Sequence, residues 1–237
     1  AAALKALPPK PSDTATTQSE KKRYSERVSE VVAQAVAEEL RKRGLKQARP
    51  APLGELDSSG AERRMAGGIG AKKVDVTWAT DESGLLLAIS IKSINFKDSR
   101  TGNYQKNLVN RRGDMLMEAV TLHRRFPYAV LAAFFFLDKG AELDHTGRRR
   151  STFLNAHARL KLFTGRNDPA GRDEQFERFY LFLLDASPVS VSIRAYEVGK
   201  PDSVVPLDKI VTDLLSIVAE RNPDFYEMDQ GELRSAS

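Results

Sequence analysis

Alternating apolar and polar residues between positions 73 and 94 predict two β-strands joined by a tight turn. In the first strand apolar residues occupy the even positions from 74 to 78, and in the second they occupy the odd positions from 85 to 91. A period of two interrupted by a glycine-containing turn is typical of a β-hairpin. One acid, Asp75, and one lysine, Lys92, lie among the apolar residues of this hairpin.

The length of the turn decides which of these residues share a face. A two-residue loop at Glu82-Ser83 places Asp75 opposite Ser90, and one at Ser83-Gly84 places Asp75 opposite Lys92. Because opposite residues share a face and side chains alternate, either loop puts Asp75, Ser90 and Lys92 on one face. A three-residue loop would turn one strand over and separate them. The other face is predicted to form a core layer of apolar residues: Val74, Val76, Trp78, Leu85, Leu87, Ile89 and Ile91.

Helical and strand-like segments follow one another along the rest of the chain. Apolar residues at helical spacing predict helices over residues 19–43, 103–126, 151–163 and 207–220. Apolar runs predict strands over residues 128–137, 178–185 and 189–198, the first of them covered on both faces. This order predicts an α/β fold with a mixed central β-sheet flanked by helices.

Composition narrows the class of protein further. The chain has 237 residues, no cysteine and a net charge of +5. The absence of cysteine excludes disulfides, thiol catalysis and cysteine-ligated zinc, and it fits a cytoplasmic location. No apolar run approaches the roughly 18 residues that a membrane span needs, so we expect no membrane association. Residues 1–18, rich in Pro, Ala, Ser and Thr, are predicted to be a disordered tail, and residues 19–237 a single domain.

The positive charge is concentrated in one segment. Residues 139–172 contain eight Lys and Arg and three acids, so this segment alone carries the net charge. The run Arg148-Arg149-Arg150 lies within it. A concentrated basic segment is the electrostatic signature of a protein that binds a polyanion, although a solvated basic loop has the same composition.

A polar stripe on the second predicted helix lies beside its apolar stripe. Asn107, Arg111, Asp114 and Glu118 follow one another at spacings of four, three and four, which places them on one side of a helix. Such a stripe lies where the helix meets the sheet. It is consistent with simple ion pairing along the helix, or with carboxylates that complete a metal site.

The hairpin and its surroundings resemble the PD-(D/E)xK nuclease superfamily, which includes many restriction endonucleases. The resemblance covers residues 20–137, with Val74-Asp75 in the "PD" place and Ser90-Ile91-Lys92 in the "(D/E)xK" place. Position 90 is a serine where the family usually has an acid. Some restriction endonucleases resemble this chain in having Ser-x-Lys, with the missing carboxylate supplied by the following helix.

The resemblance implies a restriction-endonuclease-like core and a Mg²⁺-dependent DNA endonuclease, with Mn²⁺ as a possible substitute, that leaves 5′-phosphate ends. Asp75, Lys92, Ser90 and Glu118 would form the catalytic set. The implied metal ligands are Asp75, Glu118, Asp114 and Glu30, with Glu39 as a rival to Glu30 on the first helix. Double-stranded DNA would be bound by Asn107, Arg111, Arg112, Arg148, Arg149 and Arg150, and cutting both strands implies a homodimer.

Two other functions are consistent with the same sequence. The first is a nuclease-fold DNA-binding or assembly protein whose active site has decayed, with Ser90 as the mark of that loss. The second is a structural α/β protein that has no nucleic-acid partner. The nuclease is distinguished from the decayed protein by whether the helix after the hairpin supplies the missing carboxylate.

Overall fold

The computed structural model describes residues 3–52, 54, 63–66, 71–147, 149–187 and 190–236. Its helices are α1 Gln18–Lys42, α2 Leu108–Arg125, α3 Thr152–Leu160 and α4 Leu207–Arg221. Its strands are β1 Arg63–Ala66, β2 Ala71–Val74, β3 Val76–Thr80, β4 Gly84–Ile94, β5 Val130–Asp138, β6 Arg178–Asp185, β7 Ser192–Glu197, β8 Val204–Val205, β9 Tyr226–Asp229 and β10 Glu232–Ser235. Short 3-10 helices cover Ala3–Ala6, Lys139–Glu142 and Lys161–Phe163.

Six strands form one mixed sheet in the order β3-β4-β5-β6-β7-β8. The central strands β4, β5 and β6 are parallel to one another, and the outer pairs are antiparallel. The central strands are almost wholly buried, as their continuous apolar sequences predict. The predicted α/β fold with a mixed sheet flanked by helices is therefore confirmed. The pairs β1–β2 and β9–β10 form two small additional hairpins.

Helices cover both faces of the sheet and create two core layers. On one face, α1 and α4 pack against side chains such as Val76, Ile89 and Phe134. On the other face, α2 and α3 pack against side chains such as Ala88, Leu131 and Phe135. The boundary of α1 follows from its sequence, because Thr17 and Glu20 form a capping box at its start.

The hairpin β3–β4 reaches the predicted register by a different route. Its loop has three residues, Asp81 to Ser83, so the prediction of a two-residue loop is wrong. The register shifts between Trp78 and Ala79, and Leu86 is the extra residue on β4. This β-bulge turns the strand back over, so that Val76 pairs with Ile89 as a two-residue loop at Glu82-Ser83 would have required.

The core layer on the α1 side differs from the predicted one at two residues. Val76, Trp78, Leu87, Ile89 and Ile91 pack on the α1 side as expected. Leu85 lies in the other layer because it precedes the bulge, and Val74 lies there because the chain bends at Asp75 before β3 begins.

The described part of the N-terminal segment lies against the domain, in contrast to the disordered tail that its composition predicts. Leu4 and Leu7 are buried in the α1-side core layer. Lys10 forms an ion pair with Asp138 at 2.7 Å, and Asp13 accepts a hydrogen bond from the backbone of Lys97. A few apolar and charged contacts thus hold a segment whose proline-rich composition carries no regular periodicity.

Candidate active site

The side chains of Ser90 and Lys92 point from β4 toward α2. They occupy even positions, whereas the odd neighbours Ile89 and Ile91 pack toward α1. Asp75 lies in the bend just before β3. Since Val76 pairs with Ile89, the antiparallel register brings Asp75 to the level of Ser90. The predicted grouping of Asp75, Ser90 and Lys92 is therefore present in the structure.

Glu118 on α2 joins this group and contacts both β4 side chains. The hydroxyl of Ser90 donates a hydrogen bond to Glu118 Oε2, and Lys92 Nζ donates one to Glu118 Oε1 at 2.8 Å. Both Ser90 and Glu118 are buried, with exposed fractions of 4% and 8%. Each carboxylate oxygen thus has its own partner, which fixes the orientation of the carboxylate at this end of the sheet.

Asp75 lies on the other side of Lys92. Its Oδ2 atom accepts a hydrogen bond from the backbone N–H of Ile91 at 2.6 Å and lies 3.9 Å from Lys92 Nζ. Two carboxylates, one from the hairpin bend and one from α2, therefore converge on a single ammonium group. The cluster of Asp75, Lys92 and Glu118 has one more negative charge than positive, and we call it the groove cluster.

Electrostatics keep Lys92 in its charged form. Burial by itself lowers the pKa of Lys92, but the charges of Glu118 and Asp75 and the hydrogen bond from Lys92 to Glu118 outweigh it, so the pKa is raised. The nearby carboxylates have a larger effect than the loss of water.

The groove cluster borders an open groove of about 680 Å³, with Glu118 behind the residues that line it. One wall is the first half of α1, from Gln18 to Ala33, and the other is formed by residues 95–111 after β4. Asp75 and Lys92 line the groove. A ligand can therefore reach charged groups that are otherwise largely enclosed by the sheet and α2.

Two of the four predicted metal ligands lie apart from the groove cluster. Asp114 is exposed and faces Arg111 at 3.6 Å, because at 3.6 residues per turn it is rotated about 40° further from the apolar stripe of α2 than Glu118. Glu30 lines the groove but is more than half exposed and pairs with Arg27 at 3.5 Å. Its rival Glu39 lies further along α1, where it pairs with Arg43 at 2.7 Å.

The predicted DNA-binding residues that the structure describes lie in three places. Asn107 and Arg111 line the groove, although Asn107 precedes α2, which begins five residues later than predicted. Arg112 lies over the ring of Phe163 at 5.9 Å. Arg149 and Arg150 are exposed on the segment before α3, and Arg148 lies outside the described residues.

The pattern analysis missed the polar wall that α1 contributes to the groove. Lys21, Ser25 and Ser29 all line the groove, and their spacing of four residues places them on one face of the helix. That spacing is visible in the sequence and could have revealed the wall. Lys97 and Lys106 on the opposite wall carry no such signal, because they lie in an irregular segment.

The donor set at the bottom of the groove suits a small divalent cation. Within the described ranges, no group of three or more His, Cys, Asp or Glu side chains converges as metal ligands. Mg²⁺ keeps several waters and needs only one or two protein carboxylates, and Asp75 and Glu118 supply that number. Both are oxygen ligands, which Mg²⁺ and Mn²⁺ prefer.

Comparison with protein-family models, with curated proteins and with solved structures found no match. In the part of the chain that the structure describes, none of the helices is both long and apolar enough to cross a membrane.

Proposed function

We propose that this protein is a Mg²⁺-dependent DNA endonuclease that resembles type II restriction enzymes and leaves 5′-phosphate ends. The observation that carries the proposal is the position of Glu118. It lies against Ser90 and Lys92, at the place where a carboxylate is missing from the Asp75, Ser90, Lys92 pattern. In a decayed site Glu118 would serve only as the counter-ion of Lys92, so cation binding that needs both Asp75 and Glu118 separates the two functions.

The reaction is hydrolysis of a phosphodiester bond. A water oxygen forms a new bond to phosphorus while the bond from phosphorus to the 3′-oxygen breaks; the water gives up a proton to solvent and the 3′-oxygen takes one up. Asp75 and Glu118 would hold the divalent cation, together with a backbone carbonyl near Ile91. When bound, the cation supplies Lewis-acid polarisation of the phosphate oxygens.

Lys92 and Ser90 have different roles in this proposal. The ammonium of Lys92 holds the attacking water in place and offsets the negative charge that grows on the phosphate. Ser90 touches no substrate atom and acts as a positioning residue, because its hydroxyl fixes the orientation of the Glu118 carboxylate.

Groove residues supply the contacts to the DNA backbone. Arg111 and Asn107 line the groove beside the groove cluster, so they are placed to bind phosphates next to the one that is cut. Arg149 and Arg150 are exposed and add positive charge outside the groove. Cutting both strands of a duplex requires two active sites, so we propose that the protein works as a homodimer.

Cleavage of a supercoiled plasmid with and without Mg²⁺ tests the proposal. The wild type is expected to nick or linearise the plasmid only with Mg²⁺ or Mn²⁺, and Lys92→Ala is expected to lose at least about a hundredfold of that rate. Asp114→Asn is the matched control, since Asp114 is a carboxylate of the same helix that lies outside the groove cluster. Equal cutting by the wild type and Lys92→Ala would refute the assignment.

A further inference from the structure

The far end of the groove, beyond β4, holds lysines arranged around two aromatic rings. Phe96 and Tyr104 both line the groove. Lys21 Nζ lies 5.6 Å from the centre of the Phe96 ring, and Lys97 Nζ lies 5.8 Å from the centre of the Tyr104 ring. Lys10 lies near both rings, at 5.3 and 5.6 Å. Three ammonium groups therefore gather within a small region next to the groove cluster.

These lysines differ in how their charges are balanced. Lys10 forms ion pairs with Asp138 at 2.7 Å and with Asp13 at 3.5 Å, so its charge is neutralised by the contacts that hold the N-terminal segment. Lys21 donates a hydrogen bond to the backbone carbonyl of Asp13. Neither Lys21 nor Lys97 forms an ion pair with any residue in the described part of the chain.

The two lysines are also held in place. Lys21 is on α1, and the backbone N–H of Lys97 donates to the Asp13 carboxylate at 3.2 Å. Each ammonium rests near a ring face, where the attraction between a cation and the ring adds to the positioning. Both side chains line the groove, so their ammonium groups lie on the path of a ligand that enters it.

We infer that Lys21 and Lys97 form a phosphate subsite for a backbone phosphate of the DNA strand whose scissile phosphate lies at the groove cluster. This inference rests on the proposed function and adds to it a second point of attachment on the same strand. Lys97 is five positions after Lys92, which limits the distance between their Cα atoms to about 17 Å. The subsite therefore lies within a few nucleotides of the bond that is cut.

The arrangement favours a phosphate over a base. The lysines occupy ring faces of Phe96 and Tyr104, and those faces are then closed to stacking by a nucleobase. Two ammonium groups without carboxylate partners match a phosphate, which accepts hydrogen bonds through several oxygens. Contacts to phosphates fix the position of a strand and carry no sequence information. The subsite should therefore set the register of the strand in the groove without favouring particular bases.

Equilibrium binding of a short fluorescent DNA duplex to the full chain, measured by anisotropy in EDTA, tests the subsite. Replacing Lys21 and Lys97 together by methionine keeps the apolar stems over the rings and removes the charges. Affinity is expected to fall roughly tenfold, and the slope of log affinity against log salt is expected to decrease by about two.

Matched variants separate charge at the subsite from general charge loss. Lys42→Met removes a lysine from the other end of α1, where the side chain is exposed and does not line the groove. It is expected to bind nearly as the wild type does. Replacing Lys21 and Lys97 together by arginine keeps both charges and is expected to retain most of the affinity, which shows that the loss comes from charge.

Competition experiments distinguish a site for the DNA backbone from a site for free inorganic phosphate. Inorganic phosphate is expected to displace the duplex only weakly, because a single phosphate makes no contact elsewhere in the groove. The inference is overturned if the double methionine variant binds with the affinity and salt slope of Lys42→Met, or if inorganic phosphate competes as well as an unlabelled duplex does.

Because binding is measured in EDTA, the result does not depend on cleavage. Loss of binding in the double variant together with an inactive wild type would refute the nuclease and keep the subsite. If cleavage depends on Lys92 but binding does not change when Lys21 and Lys97 are replaced, the nuclease is supported and the subsite is refuted.

Discussion

Helix α2 contributes to two buried charge clusters at different levels of the parallel strands. Glu118 belongs to the groove cluster, and five residues later His123 belongs to a cluster around Glu177. In this second cluster, Glu177 Oε1 contacts Arg221 at 2.8 Å and Arg166 at 3.4 Å. Its Oε2 accepts the backbone N–H of Leu131 at the start of β5. We call this group the closed cluster.

The two clusters contain similar charged groups but differ in their burial and in their ratio of carboxylates to cations. The side chains of Glu177, His123 and Arg166 are fully buried, and one carboxylate there meets two guanidinium groups. Burial by itself raises the pKa of Glu177, but the hydrogen bond and charge of His123 and the charge of Arg221 outweigh it and lower the pKa. In the groove cluster two carboxylates share one lysine beside an open groove. A carboxylate that lines an open groove, as Asp75 does, suits exchange of a cation, whereas an enclosed carboxylate such as Glu177 suits a structural role.

The largest predicted effect tests the structural role of the closed cluster. Glu177→Ala removes the carboxylate from Arg221 and leaves Arg166 with only Asp173, and it should lower the free energy of unfolding by about 3–5 kcal/mol. Urea denaturation followed by circular dichroism measures this loss. Mg²⁺ should not restore the stability of this variant, and restoration by Mg²⁺ would show that the comparison of the two clusters is mistaken.

A similar effect is expected for a second enclosed group, His157. Its Nδ1 atom accepts a hydrogen bond from the N–H of Gly199 at 3.0 Å, and burial lowers the pKa of His157 to about 4. The neutral ring is favoured in the folded state, so its contribution is complete above pH 6.5 and is lost as the pH falls toward 4. The total loss is at most about 3 kcal/mol.

Unfolding measured between pH 7 and pH 4 in His157→Asn checks this, since the variant should lose much of the decline in stability below about pH 6.5. His145→Asn is the control, because His145 is exposed. An unchanged pH dependence in His157→Asn would mean that the pKa of His157 is the same in the folded and the unfolded protein.

The stability of the groove cluster should respond differently when the positive charge of Lys92 is removed. Lys92→Met removes the ammonium group that lies within 4 Å of both carboxylates, which should destabilise the protein by about 1–3 kcal/mol. Because a cation that binds only the folded state stabilises it, Mg²⁺ at a hundred times its Kd should return about 2.7 kcal/mol. Thermal unfolding with and without Mg²⁺ measures both quantities. If Mg²⁺ does not restore the stability of this variant, the groove cluster has only a structural role, as the closed cluster does.

The smallest effect concerns the hydroxyl that holds Glu118. Ser90→Ala should weaken Mn²⁺ binding about tenfold, or about 1.4 kcal/mol, because the carboxylate is no longer fixed by its hydrogen bond. Ser90→Thr keeps the hydroxyl and should retain most of the affinity. Calorimetric titration with Mn²⁺ reports on the metal site directly, and equal affinities for Ser90→Ala and the wild type would remove the positioning role from Ser90.

The sequence was sufficient to predict most of the elements that position the site. Periodicity identified all four helices and the buried strands, since a strong apolar pattern survives packing. It predicted that Asp75, Ser90 and Lys92 share a face, but for an incomplete reason. The actual loop has three residues, and only the bulge at Leu86 restores the register. Bulges depend on packing on both faces of a sheet and leave no periodic signal.

Side-chain partners were harder to predict than elements. The sequence places Asp114 and Glu118 on the same helical stripe and does not distinguish them as ligands. Only the packing angle of α2 on the sheet determines that Glu118 is buried and Asp114 exposed. The closed cluster joins residues more than 40 positions apart, so no local pattern reveals it. The contacts of the N-terminal segment depend on a few isolated leucines and lysines, which composition does not distinguish from a tail.

Calorimetric titration of the full chain with Mg²⁺ or Mn²⁺ tests the central claim most directly. The wild type should bind with an affinity that falls at least about tenfold in both Asp75→Asn and Glu118→Gln. Asp114→Asn should bind as the wild type does, because Asp114 faces solvent. A wild type without a cation site, or affinity that is the same in Asp75→Asn and Glu118→Gln as in the wild type, would contradict the assignment of the groove cluster as a catalytic metal centre.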